Sequence, residues 1–388
     1  MNVEVVIGAN YGDEGKGLVT EFCCRNSDSP LVVLSNGGCQ RGHTVNNVEN
    51  GIRHVFHHFG SGTLLGAPSI YSKTYLLNPI KYIEEKLELE KDGIKPIAFR
   101  APGCILQLPG DMLVNQSLEK HRSKSRTKHG SCGWGIWETI LRNKEKPLLF
   151  EDFKELSFND KRSCIIEALD SQITRRLEPE GAVVDNDLYK IVVSDGFIEH
   201  FIRDFEEMER DVKVLSTDDL LNVDWGIYCS RDVKTLVIEN AQGLLLDKKY
   251  APIDENGKTD VHSTPSKCGL EGALDALGDT SHIDGISIFY VSRAYLTRHG
   301  DGPFHEEDIS VSFPDKTNMP NEYQGSLRFG LINESTFIKM KRRIAEDSSI
   351  FEGAEVNLVA THMNEIKNPF MLDDASHFSY DDNSANVM

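Results

Sequence analysis

Gly8-Ala9-Asn10-Tyr11-Gly12-Asp13-Glu14-Gly15-Lys16-Gly17 is the stretch of sequence that decides the fold. The β-branched run Val3–Ile7 that precedes it is typical of a buried parallel strand, and the run Leu18–Cys24 that follows predicts a helix. A strand, a glycine-rich loop and a helix in this order direct backbone N–H groups and the positive helix end at a phosphate. The sequence therefore predicts an α/β protein that binds a phosphate at this loop.

The loop differs from the common P-loop pattern G-x-x-x-x-G-K-[ST] at its last position. Gly17 stands where that pattern has the serine or threonine that holds Mg²⁺, while Lys16 keeps the cation that contacts phosphate oxygens. Asp13 and Glu14 lie inside the loop, where a carboxylate is unfavourable beside phosphates unless it binds a metal or accepts a proton. A glycine-rich turn with a solvated acidic pair is the alternative interpretation.

The composition limits the classes of function. The 388 residues include 42 lysines and arginines and 61 aspartates and glutamates, a net charge of -19, which argues against general affinity for nucleic acids or membrane surfaces. Eight cysteines without a C-x-x-C pair indicate free thiols in a reducing compartment. The N-terminal run is typical of a core strand and not of a signal peptide, and we find no apolar run of membrane-spanning length. We therefore expect a cytoplasmic protein.

Further segments extend the α/β pattern. A helix is predicted over Pro79–Asp92, residues 151–215 are predicted to be helix-rich, Ser117–Lys128 is basic and expected to be mobile, and a turn is predicted over Asp254–Lys258. Additional strands are predicted at Leu31–Leu34, Ala101–Gln107, Leu236–Asn240, Ile286–Ser292 and Val356–Ala360. We expect an open, mainly parallel central sheet with flanking helices in one domain over residues 1–370, followed by a lightly packed acidic tail over residues 371–388.

Five ordered motifs along the chain carry a family resemblance. They are Gly12–Gly17 (GDEGKG), Gly37–Thr44 (GGCQRGHT), Phe56–Gly62 (FHHFGSG), Ile238–Asp247 (IENAQGLLLD) and Arg293–Phe304 (RAYLTRHGDGPF). Together they resemble the signature segments of adenylosuccinate synthetases. The resemblance implies a ligase that joins L-aspartate to C6 of a purine nucleotide through a 6-phosphoryl intermediate, driven by a nucleoside triphosphate.

The resemblance also implies chemical roles for four side chains. Asp13 is expected to accept the purine N1 proton, so that O6 can attack the γ-phosphorus. His43 and Lys16 are expected to stabilise charge on the transferred phosphoryl group. Gln242 is expected to bind the purine edge and the 6-phosphoryl intermediate. Asp13 and the Gly42 carbonyl are expected to ligate Mg²⁺.

A wider set of residues is expected to bind nucleotide or phosphate: Gly12, Glu14, Gly15, Gly17, Gln40, Gly42, Thr44, Ser131, Cys132, Arg142 and Asn364. Ser131 and Cys132 belong to the run His129–Glu138, which agrees in part with the family's phosphate loop; a surface turn with buried tryptophans is the alternative. Relatives are homodimers in which an arginine reaches the neighbouring subunit's nucleotide phosphate. Arg142 lies near that motif position, so we expect a homodimer.

Two segments depart from the family pattern. Thr361-His362-Met363-Asn364 stands where relatives carry T-K-x-D, and an asparagine, which both donates and accepts, suits adenine better than guanine. We therefore expect ATP or dATP as the donor instead of GTP. The run Gln324–Gly330 has one arginine where relatives have an arginine-rich aspartate loop. Arg298, Ser326 and Arg328 are the residues expected to bind aspartate.

These departures resemble the viral branch of the family, whose members make 2-amino-2′-deoxyadenylosuccinate from dGMP and aspartate on the way to diaminopurine DNA. We therefore expect dGMP as the acceptor and, for a viral protein, the host cytoplasm as its location. Ordinary adenylosuccinate synthesis from IMP, aspartate and GTP is the alternative, because Asp13 fits IMP as well. An inactive nucleotide-binding regulator is a third hypothesis, against which the joint retention of Asp13, Lys16, His43 and Gln242 argues.

Overall fold

A β-sheet lies at the centre of the molecule. The computed structural model describes residues 1–47, 49–125, 129–229, 232–251, 262–281, 283, 285–315, 317–318, 320, 323–367, 369–370, 374–381 and 386–388. The strands are β1 (Asn2–Gly8), β2 (Pro30–Leu34), β3 (His43–Asn47), β4 (Ile52–Phe56), β5 (Ser69–Tyr71), β6 (Leu76–Leu77), β7 (Ala98–Arg100), β8 (Ile105–Leu106), β9 (Lys213–Val214), β10 (Thr235–Gly243), β11 (Ile286–Arg293), β12 (Tyr295–Arg298), β13 (Arg328–Leu331), β14 (Glu355–Thr361) and β15 (His377–Phe378).

Nine of these strands, counted over the described residues, form one sheet in the order β15-β14-β11-β1-β10-β2-β5-β7-β9. Every neighbouring pair in it is parallel. The strand from the N-terminus lies at its centre, where Val5 is in register with Ile238 of β10 and with Ile288 of β11. The predicted open parallel sheet is confirmed.

Helices cover both faces of this sheet. They are α1 (Lys16–Asn26), α2 (Pro79–Lys91), α3 (Pro109–Ser125), α4 (Ile136–Glu145), α5 (Phe150–Lys154), α6 (Phe158–Gln172), α7 (Asn186–Val192), α8 (Asp195–Asp211), α9 (Trp225–Tyr228), α10 (Leu270–Leu277) and α11 (Glu334–Ser348). The predicted helix at Pro79 begins and ends within one residue of α2, and α5 to α8 fill the segment predicted to be helix-rich. No described helix is both long enough and apolar enough to cross a membrane.

The sheet separates the two largest clusters of the hydrophobic core. Val6 belongs to the cluster that α1, α2 and α8 cover, whereas Val5 and Ile7 belong to the cluster covered by α10 and α11. Successive side chains of a strand point to opposite faces, so a strand buried on both faces must be apolar throughout. This explains why the first strand is a nearly continuous apolar run.

The carboxyl ends of five central strands meet at one edge of the sheet. The glycine loop follows β1, the Gly37–Thr44 motif follows β2, and Gln242 is the next-to-last residue of β10. Arg293 ends β11, and the run Thr361–Asn364 follows from the end of β14. Ligands of open α/β sheets bind outside this edge, so the topology brings the distant motifs together.

Three sequence predictions need correction. The strand predicted over Ala101–Gln107 is interrupted by a turn at Gly103, whose φ is 80°, and only β8 remains of it. The segment predicted to be mobile continues α3 as far as Ser125, because Leu118 packs with Leu169 of α6 in a small separate core. The described part of the tail adds β15 beside β14. The turn predicted over Asp254–Lys258 lies outside the described residues.

Candidate active site

Two adjoining cavities lie at the carboxyl edge of the sheet. The glycine-loop cavity, of about 380 Å³, is lined by Gly12, Asp13, Lys16, His43, Thr44 and Asn364. The glutamine cavity, of about 490 Å³, is lined by Gln40, Ser131, Cys132, Trp137, Gln242 and Arg298. Their walls touch where Gly12 packs on Gln242, since a Cβ atom on Gly12 would lie 2.9 Å from the Gln242 Cα. One glycine therefore separates the two spaces.

Most of the predicted site residues line one cavity or the other. The glycine-loop cavity also receives Gly15, Gly17 and Gly42. Four predicted residues line neither cavity: Glu14, Arg142, Ser326 and Arg328. The structure therefore brings most of the predicted residues to two adjoining cavities, while these four lie elsewhere.

Glu14 folds back into its own loop instead of facing a ligand. Its Oε1 accepts hydrogen bonds from the backbone N–H groups of Asn10, at 3.1 Å, and Gly12, at 2.7 Å. Burial raises the pKa of this carboxyl group, although Lys16 opposes the rise from 3.5 Å away. The same lysine donates a 2.5 Å hydrogen bond to the Gly12 carbonyl. The predicted nucleotide contact of Glu14 is therefore wrong, and this carboxylate holds the loop in shape.

Gly17 is a glycine because the chain has no room for a side chain there. A Cβ atom at this position would lie 2.9 Å from the Cβ of His43 and 3.0 Å from the carbonyl oxygen of Thr44. The first helical turn therefore packs directly against the start of β3. This contact explains in steric terms why the P-loop serine or threonine is absent.

His43 belongs to a buried network of four polar residues. The Nδ1 atom of His43 is 2.6 Å from Oε1 of Glu239, and the other carboxylate oxygen pairs with Arg41. Ser61 donates to the same carboxylate from both its hydroxyl group and its backbone N–H. Glu239 and the guanidinium of Arg41 are fully buried. A carboxylate so close to Nδ1 requires a proton on that nitrogen, which leaves Nε2 as the ring atom available to a ligand.

The network also determines the charge of His43. Burial and the neighbouring Arg41 lower the pKa of His43 to about 3, despite the opposing effect of Glu239. Burial would raise the pKa of Glu239, but Arg41 and His43 outweigh it and the net shift is downward. The imidazole is therefore neutral in the ligand-free protein, and a cationic form requires a bound anion.

Gln242 is held in an unfavourable backbone conformation. Its φ is 65°, in the left-handed region that residues other than glycine rarely adopt. Its Oε1 accepts a hydrogen bond from the Sγ of Cys268 at 3.5 Å. Residues in such conformations persist where the surrounding structure fixes them, and they occur mainly at functional sites. The side chain is therefore fixed in the wall of the glutamine cavity.

The oxygen atoms in the glycine-loop cavity fit the Mg²⁺ that the family resemblance implies. Mg²⁺ commonly takes one or two protein oxygens and completes its shell with phosphate oxygens and water. Asp13 and Gly42 line the cavity together with Lys16. The backbone of Asp13 is fixed because its carbonyl accepts from Nε of Arg293, whose Nη2 pairs with Asp315 at 2.7 Å.

Asn364 lies at the exposed end of the glycine-loop cavity. The hydroxyl groups of Thr44 and Thr317 are 2.8 Å apart on the same wall, and Arg53 donates to Thr317 at 2.8 Å. Two residues before Asn364, His362 has a φ of 58°, and burial lowers its pKa to about 3. The asparagine thus follows a tightly constrained turn at the end of β14.

Paired charges line the far part of the glutamine cavity. Arg122 donates to Glu180 at 2.9 and 2.5 Å, and Arg176 donates to Glu138 at 3.2 Å. Nearer the predicted phosphate loop, Ser131 donates to the side-chain oxygen of Asn115 at 3.0 Å. Burial raises the pKa of Cys132 to about 11, so this thiol stays protonated at neutral pH.

Arg142 and Arg328 have structural partners that contradict their predicted roles. Arg142 is buried, and its Nε and Nη2 atoms each lie 2.9 Å from an oxygen of Asp111. Arg328 donates to Glu307 at 2.8 Å and to the Gly300 carbonyl at 2.7 Å, which braces the turn after β12. Ser326 is exposed outside both cavities. Arg142 is therefore held by Asp111 in this structure and faces neither cavity.

Sequence reasoning missed the residues that support the site from behind. Glu239 lies within a quoted motif, and a carboxylate inside an apolar strand is a signal, because burying it requires a partner. Arg41 and Arg293 also lie in quoted motifs and were given no role. No comparable signal marks Arg122 and Arg176, because their carboxylate partners come from other segments.

The parallel sheet, the phosphate loop and the two joined cavities define a nucleotide-binding α/β enzyme. A model of the adenylosuccinate synthetase family matches residues 5–322. The chain therefore belongs to the adenylosuccinate synthetase family, which are carbon–nitrogen ligases of purine biosynthesis. Members of this family depend on Mg²⁺.

Curated relatives and solved structures agree with this assignment. The adenylosuccinate synthetase of Picrophilus torridus is 26% identical over 331 residues, which cover 83% of this chain and 68% of that protein. That of Pediococcus pentosaceus is 27% identical over 329 residues, covering 83% and 69%.

Among solved structures, the fully ligated adenylosuccinate synthetase of Plasmodium falciparum has a TM-score of 0.69 at 18% identity, covering 95% of this chain and 78% of that one. The succinoaminodeoxyadenylate synthetase of cyanophage S-2L, bound to dGMP and to dATP as an energy donor, has a TM-score of 0.65 at 12% identity. The superposition covers 100% of this chain and 95% of the cyanophage chain. At these identities the similarity concerns the fold.

Proposed function

We propose that this protein joins L-aspartate to C6 of dGMP, with ATP or dATP as the donor, and forms 2-amino-2′-deoxy-N6-succinyladenylate for diaminopurine DNA. The observation that carries the proposal is the pair of cavities whose walls touch at Gly12 and Gln242. Such an arrangement lets two nucleotides meet at their reacting groups, which is what transfer of a phosphoryl group between them requires.

In this proposal the glycine-loop cavity binds the donor triphosphate. Lys16 and the loop N–H groups contact the phosphates, and Asp13 and the Gly42 carbonyl hold Mg²⁺, which neutralises phosphate charge. His43 is neutral before binding and offers Nε2 to the phosphates, because Glu239 occupies its Nδ1. The negative charge of the triphosphate raises the pKa of this imidazole and favours the cation that stabilises the transferring group.

The glutamine cavity binds the acceptor and aspartate. Asp13, next to the Gly12 boundary, accepts the N1 proton of the purine while O6 takes the γ-phosphoryl group and the diphosphate leaves. The aspartate amine then attacks C6, and the C6–O bond breaks to release inorganic phosphate. Gln242 and Gln40 contact the nucleotide, Ser131 and the N–H groups near Cys132 contact its phosphate, and Arg298 contacts an aspartate carboxylate.

Asn364 supports an adenine donor. Its side chain lines the glycine-loop cavity, where a carboxamide can accept from the adenine 6-amino group and donate to N1. An aspartate at the same place would accept from guanine N1 and its 2-amino group. The cyanophage synthetase that shares this fold binds dATP, which agrees with the same choice.

The acceptor is supported by the same neighbour. That enzyme binds dGMP, and its fold overlaps almost end to end with this chain. The specific observation that favours IMP and GTP instead is the name of the curated relatives, which are adenylosuccinate synthetases at 26% and 27% identity. Ordinary adenylosuccinate synthesis therefore remains the second candidate.

An acceptor panel tests the proposal. The protein is incubated with aspartate, Mg²⁺ and ATP in the presence of dGMP, GMP, IMP or dIMP, and the products are identified by mass. We expect the succinylated product from dGMP and the highest kcat/KM with that acceptor, because a pocket that bonds the 2-amino group leaves a polar group unpaired with IMP. Reactions without aspartate are the control. A preference for IMP would restore ordinary adenylosuccinate synthesis, and no product with any acceptor would favour a regulator.

The subunit number and the cellular location are part of the same proposal. We propose that the protein is a cytoplasmic homodimer, as the family resemblance implies, with the site completed by a residue other than Arg142. Sedimentation at catalytic concentration measures the subunit number directly. A monomer that is fully active would overturn the dimer.

A further inference from the structure

The cations that line the glutamine cavity differ in how they are engaged. Among the described lining residues, the lysine and arginine side chains are Arg122, Arg176, Lys248 and Arg298. A purine mononucleotide brings a doubly charged phosphate into this cavity, and burying that charge requires cationic or N–H partners. A cation that is paired with a carboxylate would leave that carboxylate unpaired if it turned to the phosphate.

The arginines are already committed. Arg122 forms a bidentate pair with Glu180, and Arg176 contacts Glu138. Arg298 is buried, where it donates to the Pro303 carbonyl at 2.6 Å and lies 4.7 Å from the centre of the Tyr11 ring. Moving Arg122 or Arg176 toward a phosphate would break these ion pairs, and Arg298 is the residue proposed to contact the aspartate carboxylate.

Lys248 is engaged in a different way. Its Nζ lies 4.6 Å from the centre of the Trp137 ring, and within the described part of the chain no carboxylate lies within ion-pair distance of it. The side chain is exposed at the mouth of the cavity. An exposed contact between an ammonium group and an aromatic face is weaker than a charge-assisted hydrogen bond to phosphate. The ammonium can therefore exchange one partner for the other at a net gain.

The partner of Lys248 stands at the phosphate end of the cavity. Trp137 is the second residue of α4, and the predicted phosphate loop with Ser131 and Cys132 leads directly into this helix. Lys248 itself follows the strand that carries Gln242. The lysine thus connects the purine end of the cavity with its phosphate end.

We propose that Lys248 binds the 5′-phosphate of the acceptor nucleotide and rests on the face of Trp137 while the cavity is free. This inference rests on the proposed function only in that the glutamine cavity takes a purine mononucleotide. It assigns to one chain a phosphate contact that Arg142 cannot make.

Calorimetric titration with dGMP, IMP and deoxyguanosine tests the inference. Lys248→Met should weaken binding of both mononucleotides by about tenfold or more, because a charge-assisted contact is lost. Binding of deoxyguanosine, which has no phosphate, should stay the same. Lys248→Arg should restore most of the affinity.

The chain offers a matched control for this experiment. Lys249 is also an exposed lysine, and its Nζ lies 4.9 Å from the centre of the Tyr250 ring, but it does not line the cavity. Lys249→Met should bind every ligand as the wild type does. The inference is overturned if Lys248→Met binds both mononucleotides normally, or if deoxyguanosine loses as much affinity as dGMP.

The two proposals fail in different ways. If the acceptor panel selects IMP, the dGMP assignment fails, yet the effect of Lys248→Met on IMP binding still supports the phosphate contact. If dGMP is the acceptor and Lys248→Met binds it normally, only the phosphate contact fails.

Discussion

The glycine-loop cavity and the glutamine cavity draw on the chain in different ways. The residues of the first that are proposed to contact the triphosphate come from two short runs, Gly12–Leu18 and Gly42–Thr44. The second combines α3, the loop before α4, the short π-helix Ile173–Leu177 that follows α6, the end of β10 and the end of β12. A cavity built from continuous motifs can be recognised residue by residue in a sequence, whereas one assembled from distant segments can be recognised only where a segment resembles a known motif.

The largest expected effect on turnover is at Asp13, which lines the glycine-loop cavity. Asp13→Asn should keep nucleotide affinity but lower turnover by about 10²- to 10⁴-fold, the usual contribution of a general base. Single-turnover kinetics with separate measurement of nucleotide binding checks this. Asp28→Asn, a change at an exposed residue paired with Lys234, should leave turnover unaltered. Near-normal turnover of Asp13→Asn would mean that Asp13 is not the general base.

The next effect separates a structural arginine from a ligand-binding one. Arg142→Met should lower the free energy of unfolding by about 3–5 kcal/mol, because it leaves the buried Asp111 without its cation. Urea denaturation measures this change. Arg162→Met is the control, since its pair with Asp195 is exposed and should contribute about 0–1 kcal/mol.

The result for Arg142 also has a clear contrary outcome. Unchanged stability together with a raised KM for the acceptor nucleotide would mean that Arg142 contacts phosphate after all. The difference between the two cavities would then be smaller than the contacts with Asp111 suggest.

The smallest expected effect concerns the donor base. Asn364→Asp should shift the ratio of kcat/KM for ATP and GTP toward GTP by about tenfold, since one bidentate base contact is worth about 1–3 kcal/mol. Steady-state kinetics with both donors measures the ratio. Asn318→Asp, on the same cavity wall, is the matched control and should shift it less. A wild-type protein that already prefers GTP would contradict the role given to Asn364.

The large elements of the fold could be predicted from the sequence because each carries its own local signal. The run Val3–Ile7, the helix that starts at Pro79 and the strand ending at Gln242 all show apolar runs or capping residues. The edge strands β9 and β15 span two residues each, too few to show a period. These residues are strands because they pair with a neighbouring strand at the sheet edge, and no local sequence pattern marks them.

The chemistry of the site divides in the same way. Roles could be proposed for Lys16, His43 and Gln242 because they stand in recognisable motifs near strand ends. The charge pairs of the glutamine cavity could not, since Arg122 and Glu180 are 58 residues apart and only the packing of α3 brings them together. The misassignment of Arg142 has the same origin, because its partner Asp111 is 31 residues away.

Gly17 limits which substitutions this loop can accept. In a P-loop a serine or threonine follows the lysine, so Gly17→Ser is the single change that would supply the P-loop hydroxyl group here. Here that substitution would place the new Cβ 2.9 Å from the Cβ of His43 and displace the side chain that is proposed to contact the phosphates. The P-loop hydroxyl group could therefore be added at this position only if the start of β3 moved away from the first turn of α1.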